Sequence, residues 1–267
     1  MGYSCDRLTV IQEKDGVTVA RVSSNGRSLV LKYLGKAEYR REIGNYALLT
    51  ERHIPTLPLL AATDCALLLE DISTHPIWRL GQQEDMCDPT VARKIAHWYQ
   101  QLHAVDTVPA HLYDPTDVFT LENIVLIEEK TKTALQPAWM VLKDNFYAIY
   151  RQLTAAPRTL VYNDFYYTNL AIAKDTALMF DYNLLGRGYA YSDLRNVTSS
   201  LSPAAAAAFL DAYGAYDPSQ RILDDVIDPI ITLYWACRRP SLPPWAIDIL
   251  RDLPAYPQKI ARLLSLD

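Results

Sequence analysis

The sequence predicts an α+β fold in two lobes: a small antiparallel β-sheet lobe with one helix, and a larger, mainly helical lobe. Three observations carry that assignment. Over residues 1–70, short apolar or alternating runs are punctuated by turn residues. Beyond residue 70, helical spacing and cap-then-proline signals dominate. The helical part is interrupted once, at residues 159–183, by short apolar runs around a polar loop. The 267 residues suffice for two such lobes, 1–70 and 71–267.

In the first lobe, Leu8 to Gln12 reads as a strand and Asp15-Gly16 as its turn. Val17 to Val22 alternates and leads into Asn25-Gly26, a strong hairpin signal because both residues tolerate positive φ. Ser28 to Leu34 completes a three-stranded antiparallel meander. A helix is expected over 37–51, with Tyr39, Ile43, Tyr46 and Leu49 on its core face, and Pro55 and Pro58 beyond its end. Two short strands follow, Pro58 to Thr63 and Ala66 to Glu70.

In the second lobe, Asp88-Pro89 opens a helix, with Asp as N-cap and Pro in the first turn. Val91, Ile95, Trp98 and Leu102 mark its buried face. Helices are expected near 119–130, 137–155 and 192–201, and Ser202-Pro203 and Asp217-Pro218 start two more. Pro229 should kink or divide the helix after Pro218. Helices near 244–252 and 256–265 close the chain. Residues 159–183 read as strand, polar loop, strand, turn at Lys174-Asp175, strand.

Composition excludes several classes. A net charge of −5 disfavours a general nucleic-acid binder. The charge is uneven, net +1 over 1–70 and −6 over 71–267, which either favours a cationic partner or reflects a solvated surface. Cys5, Cys65, Cys87 and Cys237 form no C-x-x-C and suit free thiols in a reducing cytosol. The N-terminus has no signal-peptide pattern, and Asp6 breaks the myristoylation pattern. No apolar run approaches the ~18 residues of a membrane span. A cytoplasmic protein without membrane partners is expected. The nine glycines form neither G-x-G-x-x-G nor G-x-x-x-x-G-K-[ST]. A nucleotide would therefore be held by neither a Rossmann nor a Walker loop.

Within the interrupted segment, Asp164 and Asn169 stand five apart in YNDFYYTN, and Asp181 ends the apolar run ALMFD. Protein kinases carry D-x-x-x-x-N in the catalytic loop, then an aspartate at a strand end. Phosphoryl transfer needs a carboxylate beside the attacking hydroxyl, and hard oxygen ligands for Mg²⁺. Asp164, Asn169 and Asp181 supply these types in order. The same template asks for a lysine on the third strand and a glutamate on the next helix. Lys32 and Glu42 occupy those places. Read singly, Asp164 and Asn169 suit a plain turn, and Lys32 with Glu42 a surface pair worth under ~1 kcal/mol. Their joint order sets them apart.

On these residues the chain resembles the aminoglycoside phosphotransferase and choline kinase family, a branch of the protein-kinase-like fold. The family loop, roughly H-G-D-x-x-x-x-N, is followed by I-D-[WF] and a later D-L. Here the matching residues are Asn163-Asp164, Asn169, Phe180-Asp181-Tyr182 and Asp193-Leu194. LLLEDIS resembles the family's hinge, and QLHAV its helix ending in Leu-His. The resemblance implies ATP and Mg²⁺ as cofactors, with backbone groups of Glu70 to Ile72 against adenine and Lys32 on the phosphates, held by Glu42. It also implies Asn169 and Asp181 as metal ligands and Asp164 as the catalytic base, acting on a small-molecule hydroxyl. Asp193 is expected to cap its helix or brace the loop. Two departures stand out: Tyr162 replaces the family histidine and Asn163 the glycine.

The acid excess makes an aminoglycoside-like or other cationic acceptor the favoured substrate. Choline, ethanolamine or a sugar is the alternative within the fold, and a regulatory pseudokinase the alternative outside it. Tyr234 and Trp235 near Asp224, Asp225 and Asp228 would suit a quaternary ammonium by cation–π contact, though their helical spacing reads first as core. His53, His75, His97, His103 and His111 show no metal-ligand spacing and receive no role.

Overall fold

The structure is a computed structural model that describes residues 5–266. The N-terminal targeting patterns fall in part on residues 1–4, which lie outside the described residues. The fold is the two-lobed α+β kinase-like class, with a small antiparallel sheet lobe carrying one helix and a larger helical lobe.

Strands β1 (Arg7–Lys14), β2 (Val17–Ser24) and β3 (Arg27–Leu34) form the meander, followed by helix α1 (Arg41–Glu51) and strands β4 (Leu59–Ala62) and β5 (Ala66–Glu70). They make one antiparallel sheet ordered β1-β2-β3-β5-β4. Both hairpin turns are of the expected chemistry. Asp15 and Gly16, and Asn25 and Gly26, all take positive φ, which matches the twist of the flanking strands. The helix expected over 37–51 begins as a separate 3-10 turn, Ala37–Tyr39. Its buried face keeps Tyr46 and Leu49 of the apolar stripe and adds two polar residues. Glu42, Asn45, Tyr46 and Leu49 are buried, whereas Tyr39 and Ile43 are only half-buried.

Next come β6 (Arg79–Leu80), which the sequence did not suggest, and helix α2 (Pro89–His103). Helices α3 (Leu121–Thr131), α4 (Pro137–Asp144) and α5 (Phe146–Ala155) follow; the single helix expected over 137–155 is divided at Asn145. Then come β7 (Thr159–Val161), β8 (Leu170–Ile172), β9 (Ala177–Met179) and β10 (Gly186–Gly188). The chain ends with α6 (Ala190–Ser200), α7 (Pro203–Tyr213), α8 (Pro218–Cys237), α9 (Pro244–Arg251) and α10 (Tyr256–Leu264). Asp88, Ser202 and Asp217 each cap their helix with a side-chain oxygen, as the cap-then-proline signals required. Pro229 does not divide α8. It forfeits one backbone hydrogen bond, and buried Val226, Ile227, Ile230 and Leu233 on either side keep the helix in one piece.

The chain divides into two compact units. The first takes in the chain up to Thr107, Tyr162–Leu185 and Asp193–Gly214. It holds the five-stranded sheet and a small sheet ordered β6-β8-β9. Val22, Leu29 and Leu68 form a sheet core, and Trp98, Tyr99, Leu102 and Phe209 are buried on α2 and α7. The second unit takes in Val108–Val161, Gly186–Ser192 and the chain from Ala215 on. Its core gathers Trp139, Phe146, Ile149, Leu223 and Ile230. Among the described residues no helix is long and apolar enough to cross a membrane, and all four cysteines are free thiols.

Candidate active site

Every residue singled out for phosphoryl-transfer chemistry lies in the first unit. Alternation along β3 places Lys32 on the face of Val30 and Leu34, opposite Leu29 and Leu31, and its side chain is only 8% exposed. Its ammonium donates to Glu42 Oε1 at 2.9 Å, lies 2.7 Å from Oε2, and donates to Asp181 Oδ1 at 2.8 Å. Burial alone would lower the lysine pKa, but the two carboxylates outweigh it and hold the pKa above its ordinary value. One cation thus serves two carboxylates. The deeper one responds: burial, reinforced by the Asp181 charge and opposed by Lys32, pushes Glu42 up to about 7.

Asp164 and Asn169 lie in the loop between β7 and β8. Asn169 donates its amide to the Asp164 carbonyl and to Asp164 Oδ2, both at 3.2 Å. The Asp164 carboxyl is raised to about 7, mainly by burial and then by Asp181, with Lys32 opposing. A carboxylate so tuned can take up a proton near neutral pH. Asp181 follows β9 at the entry to a 3-10 turn, with left-handed backbone angles, φ 64° and ψ 73°.

A cavity of about 340 Å³ brings most of these groups together. Lys32, Glu42, Asn169 and Asp181 line its polar end. Glu70 and Ile72, the hinge pair, line it as well, beside apolar Val19, Val30, Leu57 and Leu69. Asp164 is not among the lining residues and touches the site through Asn169. Among the described residues no cluster of three or more His, Cys, Asp or Glu side chains is placed to hold a metal.

The structure adds supports that sequence reasoning missed. Asp71 at the hinge is buried and accepts from Arg21 Nε and Ser28 Oγ, each at 2.6 Å, and from Ser73. Despite its burial, these donors bring its carboxyl down to about 2. Asp193 does not cap its helix. It lies inside α6, fully buried, and accepts the backbone N–H of Tyr162 at 2.7 Å and of Asn163 at 2.9 Å. His103, given no role from sequence, lies 3.2 Å from Asp193 through Nε2 and 2.9 Å from the Tyr213 hydroxyl through Nδ1. Gly81 packs under the same loop, where a Cβ would sit 2.5 Å from the Tyr167 carbonyl oxygen. Asn45 donates to the Tyr182 carbonyl at 2.7 Å. In the second unit, Asp224 is buried and accepts from the Tyr189 hydroxyl at 2.9 Å. Trp235, which helical spacing put in the core, is 45% exposed.

Comparison with known proteins extends the geometry. Choline kinase LicA from Streptococcus pneumoniae has the same fold at a TM-score of 0.66 and 13% identity, over 97% of this chain and 95% of that one. LicA has also been solved in complex with AMP. Macrolide 2′-phosphotransferase MphH from Brachybacterium faecium matches at TM-score 0.62 and 16% identity, over 96% and 94% of the two chains. Spectinomycin phosphotransferase APH(9)-Ia, solved with ADP and spectinomycin, matches at 0.60 and 12% identity, over 96% and 90%. At such identities the likeness establishes the fold alone. No match was found among the curated proteins compared. A family model does match, across residues 10–223, a span that runs from the first strand of the sheet past the Lys32–Glu42–Asp181 cluster and the Asp164 loop. On that match the chain belongs to the phosphotransferase enzyme family.

Proposed function

We propose that this protein is an ATP-dependent kinase that moves the γ-phosphate to a hydroxyl of a small molecule. The observation that carries the reading is the single cavity in which Lys32, Glu42, Asn169 and Asp181 converge, with the Glu70–Ile72 hinge on the same wall. Adenine fits the apolar part, lined by Val19, Val30, Leu57 and Leu69, with hinge backbone groups at its edge. Residues 1–70 then form the nucleotide-binding lobe, and 71–267 carry the catalytic loop and the acceptor site. The solved complexes of LicA with AMP and of APH(9)-Ia with ADP support an adenine nucleotide.

The donor set fits Mg²⁺. Asn169 and Asp181 offer hard oxygens on the wall of one cavity, and Mg²⁺ typically takes one or two carboxylates, with phosphate and water filling the rest. When bound, the ion neutralises charge on the phosphate oxygens. Lys32 grips the phosphates, and Glu42 keeps its ammonium in place. Asp164 orients the acceptor hydroxyl and takes its proton as the oxygen attacks the γ-phosphorus and the bond to ADP breaks. Buried Tyr162, in the histidine's place, leaves the Asp164 carboxylate as the proton acceptor of the loop.

A cationic acceptor is favoured by the acid excess of residues 71–267. Within the second unit, the Tyr191 and Tyr216 rings lie 5.3 Å apart; burial raises the Tyr191 phenol, the Arg221 charge opposes it, and Tyr216, Asp224 and Asp225 add to the rise. Aromatic faces beside carboxylates suit an ammonium group. The test is a screen of aminoglycosides, choline, ethanolamine and pentoses for ATP-dependent phosphorylation. A product with any of them supports the class and identifies the acceptor. Absence of nucleotide binding in calorimetry with MgATP overturns the reading.

A further inference from the structure

Asp181 occupies a backbone region that costs a non-glycine residue energy and persists only where its surroundings fix it. Two buried phenols reach this corner. The Tyr162 hydroxyl donates to the carbonyl of Phe180, and the Tyr182 hydroxyl to the carbonyl of Met179. These are the two peptide carbonyls immediately before Asp181. Both tyrosines are fully buried, and the Met179 carbonyl is buried with them, so it has no water as a substitute partner.

The rings continue the device. Tyr182 packs edge-on against Tyr46 of α1 at 4.7 Å between centroids, and against Tyr162 at 6.1 Å. Tyr162 in turn meets Tyr99 of α2 at 6.5 Å. The column thus joins the helix bearing Glu42, the corner bearing Asp181 and the start of the loop bearing Asp164. The hydroxyls are not equivalent. Those of Tyr46 and Tyr99 are buried with no hydrogen-bond partner among the described residues, whereas those of Tyr162 and Tyr182 both end on the Asp181 corner.

We propose that Tyr162 and Tyr182 are positioning residues, a hydroxyl clamp that sets the left-handed corner and so aims the Asp181 carboxylate at Lys32 and the metal position. This rests on the kinase reading above. It assigns a purpose to the departure at position 162, because the phenol there donates to the Phe180 carbonyl.

The test measures the gain in affinity for the ATP analogue AMP-PNP when Mg²⁺ is added, by calorimetry on the full chain. It compares the wild type with Tyr162→Phe, Tyr182→Phe and the control Tyr99→Phe. All three keep the ring and hence the column. The Mg²⁺-dependent gain should fall about tenfold or more in the first two, the size of effect seen when a partner of a metal ligand is lost. Their metal-free affinity should stay near wild type, and Tyr99→Phe should keep the full gain. Should one variant prove too unstable, the other gives the readout alone. A full gain in Tyr162→Phe and Tyr182→Phe overturns the clamp and leaves the kinase reading standing. An equal loss with and without metal also overturns it, as a structural effect. A wild type with no Mg²⁺-dependent gain overturns the kinase reading, and the clamp falls with it.

Discussion

Lys32 and Asp181, 149 positions apart in the chain, meet at 2.8 Å between Nζ and Oδ1. The same ammonium holds buried Glu42, so one cation answers two carboxylates. Removing one partner of a buried ion pair typically costs ~3–5 kcal/mol, because the remaining charge has no water to turn to.

Lys32→Met should therefore destabilise the protein strongly, and by a pH-dependent amount. Glu42 already titrates at about 7 with its lysine present. Without it, the carboxyl becomes neutral over a wider range, and the penalty shrinks in acid. Urea unfolding should show a larger loss at pH 8 than at pH 6. An equal loss at both would mean that Glu42 is not the group left uncompensated.

Asp164→Asn should keep nucleotide affinity and lose phosphoryl transfer. Asp164 does not line the cavity that holds Lys32 and the hinge, so binding should persist. The amide cannot accept the hydroxyl proton, and a general base is worth roughly 10²–10⁴ in rate. Calorimetric nucleotide binding paired with product formation checks both halves. Undiminished turnover would remove Asp164 from the role of base.

The stability of the free protein should fall as pH rises from about 4 to about 7. Glu42 and Asp164 each move from ordinary values, 4.5 and 3.8, up to about 7 in the fold. Between those limits the unfolded chain has released both protons and the folded chain retains them, so raising the pH favours unfolding. Asp71 acts oppositely. Its lowered value, about 2, contributes stability above pH 4 that is lost as pH falls from about 4 through about 2. Urea midpoints across this range should decline with pH, and Glu42→Gln and Asp164→Asn should each flatten the slope. A flat wild-type profile would refute the shifts.

Much of this site was legible because its chemistry lies in residue types at fixed places along the chain. Lys32 follows from β3, Glu42 from the next helix, and Asp164, Asn169 and Asp181 from the short apolar runs around them. The illegible part consists of polar side chains whose partners are remote in sequence. Periodicity put the apolar stripe of α1 inward. Tyr46 and Leu49 of that stripe are buried, but the helix also turns Glu42 and Asn45 inside, because Lys32 and the Tyr182 carbonyl satisfy them there. Asp71 and His103 resemble ordinary loop and helix-end residues until Arg21 and Asp193 reach them from elsewhere in the chain. Trp235 erred the other way, since helical spacing says which residues share a face but not whether anything covers it.

Asp193 gives the last prediction. Its carboxylate accepts two consecutive backbone N–H groups, those of Tyr162 and Asn163, directly before Asp164. Asn163 itself takes a left-handed conformation, φ 64°, and its side-chain amide donates to the Leu184 carbonyl at 3.0 Å. Asp193→Ala would leave the buried Tyr162 N–H without an acceptor, at ~1–3 kcal/mol, free the part-buried Asn163 N–H, and release the turn that presents Asp164. The hinge and the Lys32–Glu42 pair do not touch Asp193. The variant should thus lose turnover and stability while its nucleotide affinity changes little. Hydrogen exchange is the sharper measurement: the amides of Tyr162 and Asn163 should exchange far faster in the variant, while those of β3 and β5 stay protected. Unchanged exchange at Asn163 would show that the loop is held by other means.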